Sequence, residues 1–386
     1  MGETVVGTSF YVGIPQSTTC SARDSIAMAA DVGIRYFFTS LQMPEADIPG
    51  SLPELREIGH LVQDRKLHVM ADVHPIVFRR VGGSIRDLGP IRELGIQALR
   101  LDAGFAVEEI HTLCETAEQL GMSIVINASP VRTEDLDYYE RLGISLEGRV
   151  ASHNYYPRFG TGLSEAYLDR EAALLHARGV VIMGFVASQS CHRFMTYEGL
   201  PTLERHRTSP VGRAARETLA RGWLDQVYIG DQTDDLEELR DLARVAEDPH
   251  VVLRVRIDPM AREPEKSIAF GRVHTQLAQE FALVYRARGD RQRDTIPLIQ
   301  PQASPASRPR GTVTIDNVFY PRFAGELQIA REDLPPDVRT NIVGRVVDED
   351  MELLTALGPR ARFALVDVDA GPGPVSGASA ERGSQA

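Results

Sequence analysis

Eight short apolar runs, rich in β-branched residues, alternate with longer segments along the first 247 residues of the chain. Most of the runs are apolar nearly throughout, as expected for parallel strands that are buried on both faces. They cover residues 5–11, 36–40, 68–73, 98–102, 123–128, 149–156, 180–187 and 226–231. This alternation predicts eight β-strands, each followed by a helix.

The segments between the runs carry apolar residues at spacings of three and four, which is typical of amphipathic helices. SARDSIAMAADVG (21–33), VEEIHTLCETAEQLG (107–121) and SEAYLDREAALLHARG (164–179) each end in a glycine near the next run, a helix C-terminal signal. Eight such units in 247 residues fit a closed (β/α)8 barrel of the TIM type. An open, doubly wound sheet is the rival, but no GxGxxG motif follows any run, which argues against its dinucleotide-binding form.

The pattern changes after Asp248-Pro249, where short strands follow one another without long helices. We therefore expect a barrel over residues 1–247 and a small antiparallel β domain, a barrel or a sandwich, over 248–368. Its strands are predicted at 251–257, 271–276, 281–287, 311–320, 325–330, 341–347 and 362–368. The polar, Pro-rich segment 289–310 predicts a flexible loop, and the Gly/Ser/Ala-rich tail 369–386 predicts disorder.

Composition excludes several classes of protein. The 386-residue chain carries a net charge of −12, and it therefore lacks the basic character expected of a protein that binds nucleic acid or an anionic membrane. No apolar run reaches the ~20 residues that span a bilayer, and the N-terminus does not resemble a secretory signal. The three widely spaced cysteines predict neither a disulfide framework nor a zinc knuckle. We expect a cytoplasmic protein with no metal, no cofactor and no nucleic-acid or membrane partner.

Polar side chains close most of the predicted strands. In barrels of this type the strand ends and the loops after them form the catalytic mouth. The polar residues there are Ser9, Tyr11, Thr39, Ser40, Asp72, His74, Asp102, Asn127, Ser129, His153, Asn154, Tyr155, Tyr156 and Asp231. A merely solvated rim is the alternative, but acids that close apolar runs are costly to bury without partners. We therefore interpret this rim as an active site.

Acids at the rim suit general acid/base chemistry, because two carboxyl groups in different environments can hold different pKa values. The candidates are Asp72, Asp102 and Asp231, with Glu204 as a fourth after the seventh strand. Each acid has a structural alternative, in which it only fixes a loop. For Glu204 that alternative is a capping box with Thr202, although such a box would place its glutamate at position 205.

The segment SHNYYPRFGTGLSEAY (152–167) leads from the sixth strand through Gly160, Thr161 and Gly162 into the next helix. Glycines allow backbone N–H groups to point at an anion, and a helix N-terminus adds favourable dipole charge. Arg158 would supply a fork for phosphate or carboxylate. An anion site and an ordinary turn are both compatible with this segment.

Several of these segments together resemble the bacterial 6-phospho-N-acetylmuramidase family. The resemblance covers nearly the whole chain up to about residue 368, and the two most specific motifs are SHNYYPRFGTGLS (152–164) and GLPTLERHR (199–207). The others are FFTSLQMPE (37–45), ADVHP (71–75), LRLDAGF (99–105), INAS (126–129), YIGD (228–231), GTVTIDNVFYPRFAGELQI (311–329) and DVRTNIVGRV (337–346). The chain departs from the family at His74, where serine is commoner.

The resemblance implies a TIM-type barrel followed by a cyclophilin-like β domain. It also implies cytoplasmic hydrolysis of the β-1,4 bond in N-acetylmuramic acid 6-phosphate–N-acetylglucosamine during recovery of cell-wall sugars. This small disaccharide carries a phosphate and a lactyl carboxylate, which Arg158, the 160–162 turn and Arg207 would bind. The amides Asn127 and Asn154, with His153, would hold sugar hydroxyls or the acetamido group.

Two other functions stay open at this point. The first is a phosphosugar isomerase or aldolase, but Lys66 and Lys266 are the only lysines, and neither closes a strand, so a Schiff base has no candidate. A metal-assisted version would use Asp72, His74 and Asp102. The second is a sugar-phosphate sensor without turnover, for which several acids around an anionic ligand would be redundant.

The role of the β domain is also open between a spacer, a homo-oligomer interface and a lid. Asp316, Asn317, Tyr320, Arg322 and Glu326 lie in and around two predicted strands joined by a short turn. In a lid these side chains would overhang the barrel mouth, with Glu326 contacting substrate. A purely structural hairpin fits the same pattern.

Overall fold

The computed structural model describes residues 4–15, 19–102, 104–129, 132–287 and 298–369. The chain divides into two compact units, Met1–Asp248 and Pro249–Ala386. The tail predicted to be disordered lies outside the described residues from position 370 onward, and so do positions 289–297 of the predicted flexible loop. No helix in the described ranges has the length and apolar character required to cross a membrane.

The first unit is a closed barrel of eight parallel strands, which confirms the predicted (β/α)8 fold. Each strand pairs with the next, and β1 closes the barrel by pairing with β8 from Val5 opposite Gln226 to Thr8 opposite Ile229. The strands are β1 (Val5–Ser9), β2 (Tyr36–Ser40), β3 (His68–Val73), β4 (Ala98–Leu101), β5 (Ser123–Asn127), β6 (Val150–Ser152), β7 (Val181–Val186) and β8 (Gln226–Ile229).

Helices connect these strands, and local sequence signals set several of their ends. Ser21 and Ser164 cap α1 and α7 by accepting the backbone N–H three residues later, as N-caps do. Gly121 and Gly179 have positive φ after α5 and α7, where a residue with a Cβ would be strained. The helices are α1 (Ala22–Asp31), α2 (Ile48–Asp64), α3 (Pro75–Val81), α4 (Gly89–Glu93), α5 (Val107–Gln119), α6 (Thr133–Arg141), α7 (Glu165–His176), α8 (Val211–Arg221) and α9 (Leu236–Glu247).

Side chains that point to opposite faces of the barrel strands form two separate apolar clusters. Residues such as Leu99 and Leu101 belong to the large cluster between strands and helices, because successive side chains on a strand point to opposite faces. Met70 belongs instead to a smaller cluster together with Phe38, Val125, Met183, Phe185 and Tyr228. Asp72 lies two residues after Met70 on the same face of β3, so the same alternation that packs the barrel interior delivers polar groups to its carboxyl end.

The second unit contains a seven-stranded sheet in the order β10-β15-β9-β14-β12-β13-β11. Its elements are β9 (Val251–Ile257), α10 (Glu263–Ala269), β10 (Val273–Thr275), β11 (Val284–Arg286), β12 (Thr312–Asp316), β13 (Leu327–Ala330), β14 (Thr340–Val346) and β15 (Arg362–Asp367). The prediction of a wholly antiparallel domain is wrong for one pair, since β15 runs parallel to β9. The connection 347–361 carries the chain across β9 and reverses it. The cyclophilin-like assignment stays a prediction.

Candidate active site

Asp72 and Asp102 meet at the carboxyl ends of β3 and β4. The side-chain nitrogen of Gln42, on the loop after β2, donates to Asp72 Oδ2 at 2.5 Å and to Asp102 Oδ2 at 2.9 Å. Both distances are measured from the same nitrogen, so the two carboxyl oxygens that it binds are at most 5.4 Å apart. The two acids therefore form a close pair that shares one amide donor.

Arg100 lies on β4, two residues before Asp102 and on the same face of the strand, and it is 3% exposed. Its Nη1 donates to Asp72 Oδ1 at 2.7 Å and lies 4.0 Å from Asp102 Oδ1. Its Nη2 donates to the side-chain oxygen of Asn154. A buried cation beside two acids offsets part of their mutual repulsion, so Arg100 allows the two carboxyl groups to approach.

The two acids lie in different environments. The Asp72 side chain is 9% exposed and that of Asp102 is 34% exposed. Burial raises the pKa of Asp72 above its ordinary value, although Arg100 and the Gln42 hydrogen bond oppose that shift. Asn127 donates to Asp102 Oδ1 at 3.0 Å, a contact that holds this carboxyl group at the cavity. Such a difference suits one acid to give a proton and the other to act as a carboxylate.

Ser129 organises the strand 6 side of the site. Its hydroxyl oxygen accepts the Asn154 backbone N–H at 2.8 Å and the Tyr156 hydroxyl at 3.1 Å, and it lies 3.5 Å from His153 Nδ1. His153 is fully buried, and its Nε2 has no hydrogen-bond partner among the described residues. Burial, reinforced by Arg100, lowers the pKa of His153 to about 3. The imidazole is therefore neutral at physiological pH.

A cavity of about 420 Å³ opens beside the acid pair, within the range of about 300–1,000 Å³ that is usual for small-molecule sites. Its walls combine aromatic rings with acids, amides and two arginines. They are formed by Phe38, Ser40, Gln42, Met43, Pro44, Glu45, Asp72, Arg100, Asp102, His153, Asn154, Tyr155, Phe185 and Arg193. The arrangement can hold one polar sugar unit against two carboxyl groups.

Ser9 and Tyr11 lie on the strand 8 side of the barrel and are buried. The Ser9 hydroxyl donates to the Ile229 carbonyl at 2.7 Å, and the Tyr11 hydroxyl donates to the Gly230 carbonyl at 2.6 Å. The Tyr11 ring lies under the guanidinium of Arg193. These contacts tie β1 to β8 and place Tyr11 behind a residue that lines the cavity.

Glu204 lies in the loop after β7 and does not line the cavity. It pairs with Arg207 at 2.7 Å and accepts the backbone N–H groups of Gly160 and Gly162 at 2.8 and 2.7 Å. Arg207 and these N–H groups hold the pKa of Glu204 down to about 2. The glycine turn thus already binds an anion, and that anion is a carboxylate of the chain itself.

The remaining residues of the predicted anion segment surround this ion pair. Arg207 also donates to the carbonyls of Glu198, Gly199 and Arg158. The hydroxyl of Thr161 donates to the Arg158 carbonyl at 2.5 Å, and the Arg158 side chain is exposed. Thr202 caps no α-helix, since its hydroxyl donates to the Asn154 carbonyl and accepts the Phe185 N–H.

Asp231 is fully buried and holds the loop after β7. Its carboxylate accepts the backbone N–H groups of Ser188, Arg193 and Leu200 at 3.1, 2.9 and 3.1 Å. Burial raises its pKa to about 6. The structure thus brings Asp72 and Asp102 together at the cavity, whereas Asp231 and Glu204 each contact a loop.

Glu326 lies in the second unit, where it forms a two-hydrogen-bond ion pair with Arg286 at 2.7 and 2.8 Å. The nearby Asp316 is 2% exposed, and burial together with Glu326 raises its pKa to about 7. Substrate contact by Glu326 stays a prediction.

Sequence reasoning missed Gln42, Arg100 and Arg193. Arg100 carries a visible signal, because a charged residue inside the apolar run ALRLD requires a buried partner. No comparable signal marks Gln42 or Arg193, which lie on loops. Across the described ranges, no group of three or more His, Cys, Asp and Glu side chains is placed to hold a metal ion, and His74 Nδ1 instead accepts the Ile76 N–H at 3.3 Å as the cap of α3.

Comparison with known families shows to which family the chain belongs. The N-terminal model of the 6-phospho-N-acetylmuramidase family matches residues 6–244, and its C-terminal model matches residues 251–366. The chain belongs to the 6-phospho-N-acetylmuramidase family. The protein is therefore a glycoside hydrolase, and the resemblance inferred from its motifs is confirmed.

Two solved structures are similar to this member of the 6-phospho-N-acetylmuramidase family over nearly its whole length. A conserved Enterococcus faecalis protein of unknown function is 28% identical, with 95% of this chain and 97% of that chain covered and a TM-score of 0.67. An uncharacterised B. cereus protein is 27% identical, with 95% and 100% covered and a TM-score of 0.77. No curated protein matches the chain.

Proposed function

We propose that the protein hydrolyses the β-1,4 bond of N-acetylmuramic acid 6-phosphate–N-acetylglucosamine in the cytoplasm, during recovery of cell-wall sugars. The family description supports a phosphorylated muramic acid substrate. The observation that carries the proposal is the pair Asp72 and Asp102, joined through Gln42 at the wall of the cavity. Glycosidases use two such carboxyl groups on either side of the bond that they cleave.

The separation of the pair favours retention of configuration at the sugar. Retaining glycosidases place their two carboxyl groups about 5–5.5 Å apart, whereas inverting enzymes need about 6.5–9.5 Å to admit a water molecule. The two oxygens bound by Gln42 are at most 5.4 Å apart, a limit that supports the first class.

We assign the acid role to Asp72 and the nucleophile role to Asp102. Burial raises the pKa of Asp72 above its ordinary value, which is the direction that suits the general acid. Asp102 is the more exposed of the two and is held by Asn127 and Gln42. Its carboxylate attacks the anomeric carbon as Asp72 protonates the glycosidic oxygen, which releases N-acetylglucosamine. Asp72 then takes a proton from water, and that water cleaves the glycosyl ester.

The test compares Asp72→Asn and Asp102→Asn on two substrates, the natural disaccharide and a 4-nitrophenyl glycoside of the phosphorylated sugar. The nitrophenolate leaves without a proton, so Asp72→Asn should lose activity on the disaccharide but keep a rapid first release of nitrophenol from the nitrophenyl glycoside. Later turnover should be slow, because the variant lacks the base for water, and added azide should speed it. Asp102→Asn should lose both activities, and in Asp102→Gly, which leaves room for a small anion, added azide should restore release of nitrophenol. Asp64→Asn, an exposed change at the end of α2, is the matched control.

The product of the wild-type reaction checks the stereochemistry. Proton NMR in the first minutes should show the β-anomer of the phosphorylated sugar before it equilibrates. Near-wild-type turnover of the disaccharide by both asparagine variants would exclude this pair, and initial formation of the α-anomer would exclude retention.

A further inference from the structure

Arg193 is a buried cation in the wall of the cavity. It lies on the loop after β7 and is 9% exposed. Its Nη1 donates to the Tyr155 hydroxyl at 2.9 Å and contacts Met43 Sδ at 3.1 Å, and its Nε donates to the Phe194 carbonyl at 3.2 Å. These partners are neutral, so they satisfy hydrogen bonds without balancing the positive charge.

No carboxylate of the described residues forms an ion pair with Arg193. Burial lowers the pKa of Arg193, and contacts with Tyr155, Tyr11 and Glu45 raise it by more, but Glu45 does not come within ion-pair distance. The other buried arginines of the site differ in this respect, because Arg100 pairs with Asp72 and Arg207 pairs with Glu204. A buried charge without a counter-ion is costly, and a ligand that brings an anion removes that cost.

The Arg193 guanidinium is held in a fixed orientation. Its central carbon lies 4.7 Å from the ring centre of Tyr11 and 5.1 Å from that of Tyr155, distances typical of cation–π contacts. The Arg193 backbone N–H donates to Asp231, which anchors the loop. Nη2 has no hydrogen-bond partner in the described parts of the chain. A rigid fork with one free end is suited to an oxyanion, because little side-chain entropy is lost on binding.

The position of Arg193 relative to the acids fits a sugar between them. β7 lies four strands from β3 in the eight-stranded barrel, so the loop that carries Arg193 lies across the mouth from Asp72. Both side chains line the same cavity of about 420 Å³. A sugar whose anomeric carbon contacts the acids thus directs a substituent elsewhere on the ring toward the arginine.

We propose that Arg193 binds an oxyanion carried by the sugar that occupies this cavity, and that it thereby selects anionic over neutral substrates. This inference rests on the proposed function and supplies the anion-binding group for it. It replaces the glycine turn at 160–162 in that role, because Glu204 already occupies the N–H groups of that turn. The oxyanion is either the phosphate ester or the lactyl carboxylate.

The experiment compares the wild type with Arg193→Gln on three nitrophenyl glycosides: the phosphorylated muramoyl sugar, its dephosphorylated form, and the phosphorylated sugar without the lactyl group. Loss of a charged hydrogen-bond contact from Nη2 should lower kcat/KM on the first substrate by about 10- to 100-fold. The variant should also lose the wild-type preference for one anionic group. Collapse of the preference for phosphate identifies the phosphate ester, and collapse of the preference for the lactyl group identifies the carboxylate.

Two controls keep the result interpretable. Arg92→Gln removes an exposed arginine on α4 and should keep both preferences. Arg193→Lys retains the charge without the fork, so it should keep part of the preference that Arg193→Gln loses. It is also the variant to test if Arg193→Gln is too unstable to assay. Equal losses on all three substrates in both Arg193 variants would overturn the inference.

Binding without turnover separates this inference from the proposed function. N-acetylmuramic acid 6-phosphate should raise the melting temperature of the wild type and of Asp102→Asn, but not that of Arg193→Gln. Arg193-dependent binding in a protein that cleaves none of the glycosides would leave the anion site in place and refute the hydrolase reaction. Cleavage with unchanged substrate preferences in the Arg193 variants would refute the anion site and leave the hydrolase reaction in place.

Discussion

The Asp72–Arg100 ion pair makes a quantitative prediction about stability. The side chains are 9% and 4% exposed and lie 2.7 Å apart. Removing one partner of a buried pair costs about 3–5 kcal/mol, because the other charge stays buried without compensation. Asp72→Asn keeps an oxygen that accepts from Arg100, and Asp102 Oδ1 stays 4.0 Å from Arg100 Nη1, so we expect the lower end, about 3 kcal/mol. At about 2–4 °C per kcal/mol for a domain of this size, the barrel should melt roughly 6–12 °C lower.

A double-mutant cycle tests that reasoning. Arg100→Met alone should also destabilise the barrel, since it leaves Asp72 buried without its cation. The double variant Asp72→Asn/Arg100→Met buries no charge, so its loss should be smaller than the sum of the two single losses by at least about 1 kcal/mol. Urea unfolding followed by the fluorescence of Trp223, which is buried in the barrel unit, gives the three free energies. Additive losses would refute the coupling of these two side chains.

Two further predictions concern pH. Arg207 and two backbone N–H groups lower the pKa of Glu204 to about 2 from an ordinary value of 4.5. This carboxylate therefore contributes stability above pH 4.5 that disappears as pH falls through 2. The melting temperature of Glu204→Gln should be below that of the wild type at pH 7 and approach it near pH 2, and equal melting temperatures at pH 7 would contradict the ion pair. Burial raises the pKa of Asp231 to about 6 from 3.8, so its contribution is complete below pH 3.8 and is lost as pH rises through 6. The melting temperature of the wild type should therefore fall relative to that of Asp231→Asn between pH 4 and pH 7, and a difference that does not change with pH would contradict the shift.

The strands of the barrel were predictable because burial on both faces requires apolar residues along their whole length. All eight predicted runs contain a strand of the structure. The acids at the ends of β3 and β4 were predictable for a related reason, because a polar residue that closes such a run reaches the mouth. Their pairing was not predictable, since it depends on Gln42, a loop residue that lies 30 positions from Asp72.

The roles of Glu204 and Asp231 show where sequence reasoning stops. Both are acids near strand ends, and nothing in the sequence distinguishes them from Asp72 or Asp102. The difference lies in their contacts, because backbone N–H groups surround Asp231 and the 160–162 turn surrounds Glu204. Arg193 was missed for the same reason, as the loop after β7 has no periodic pattern to orient its side chains.

The parallel pairing of β9 and β15 affects the order in which the chain folds during synthesis. β9 begins at Val251 and its neighbour β15 ends at Asp367, so the sheet of the second unit lacks an interior strand until nearly all of the unit has been made. β15 also separates β9 from β10, so a ribosome-bound chain that stops before Arg362 exposes two unpaired strand edges. Contacts of such long range form slowly, and open edges invite pairing with other chains. The barrel, whose strands all precede residue 230, can close before this vulnerable stage begins.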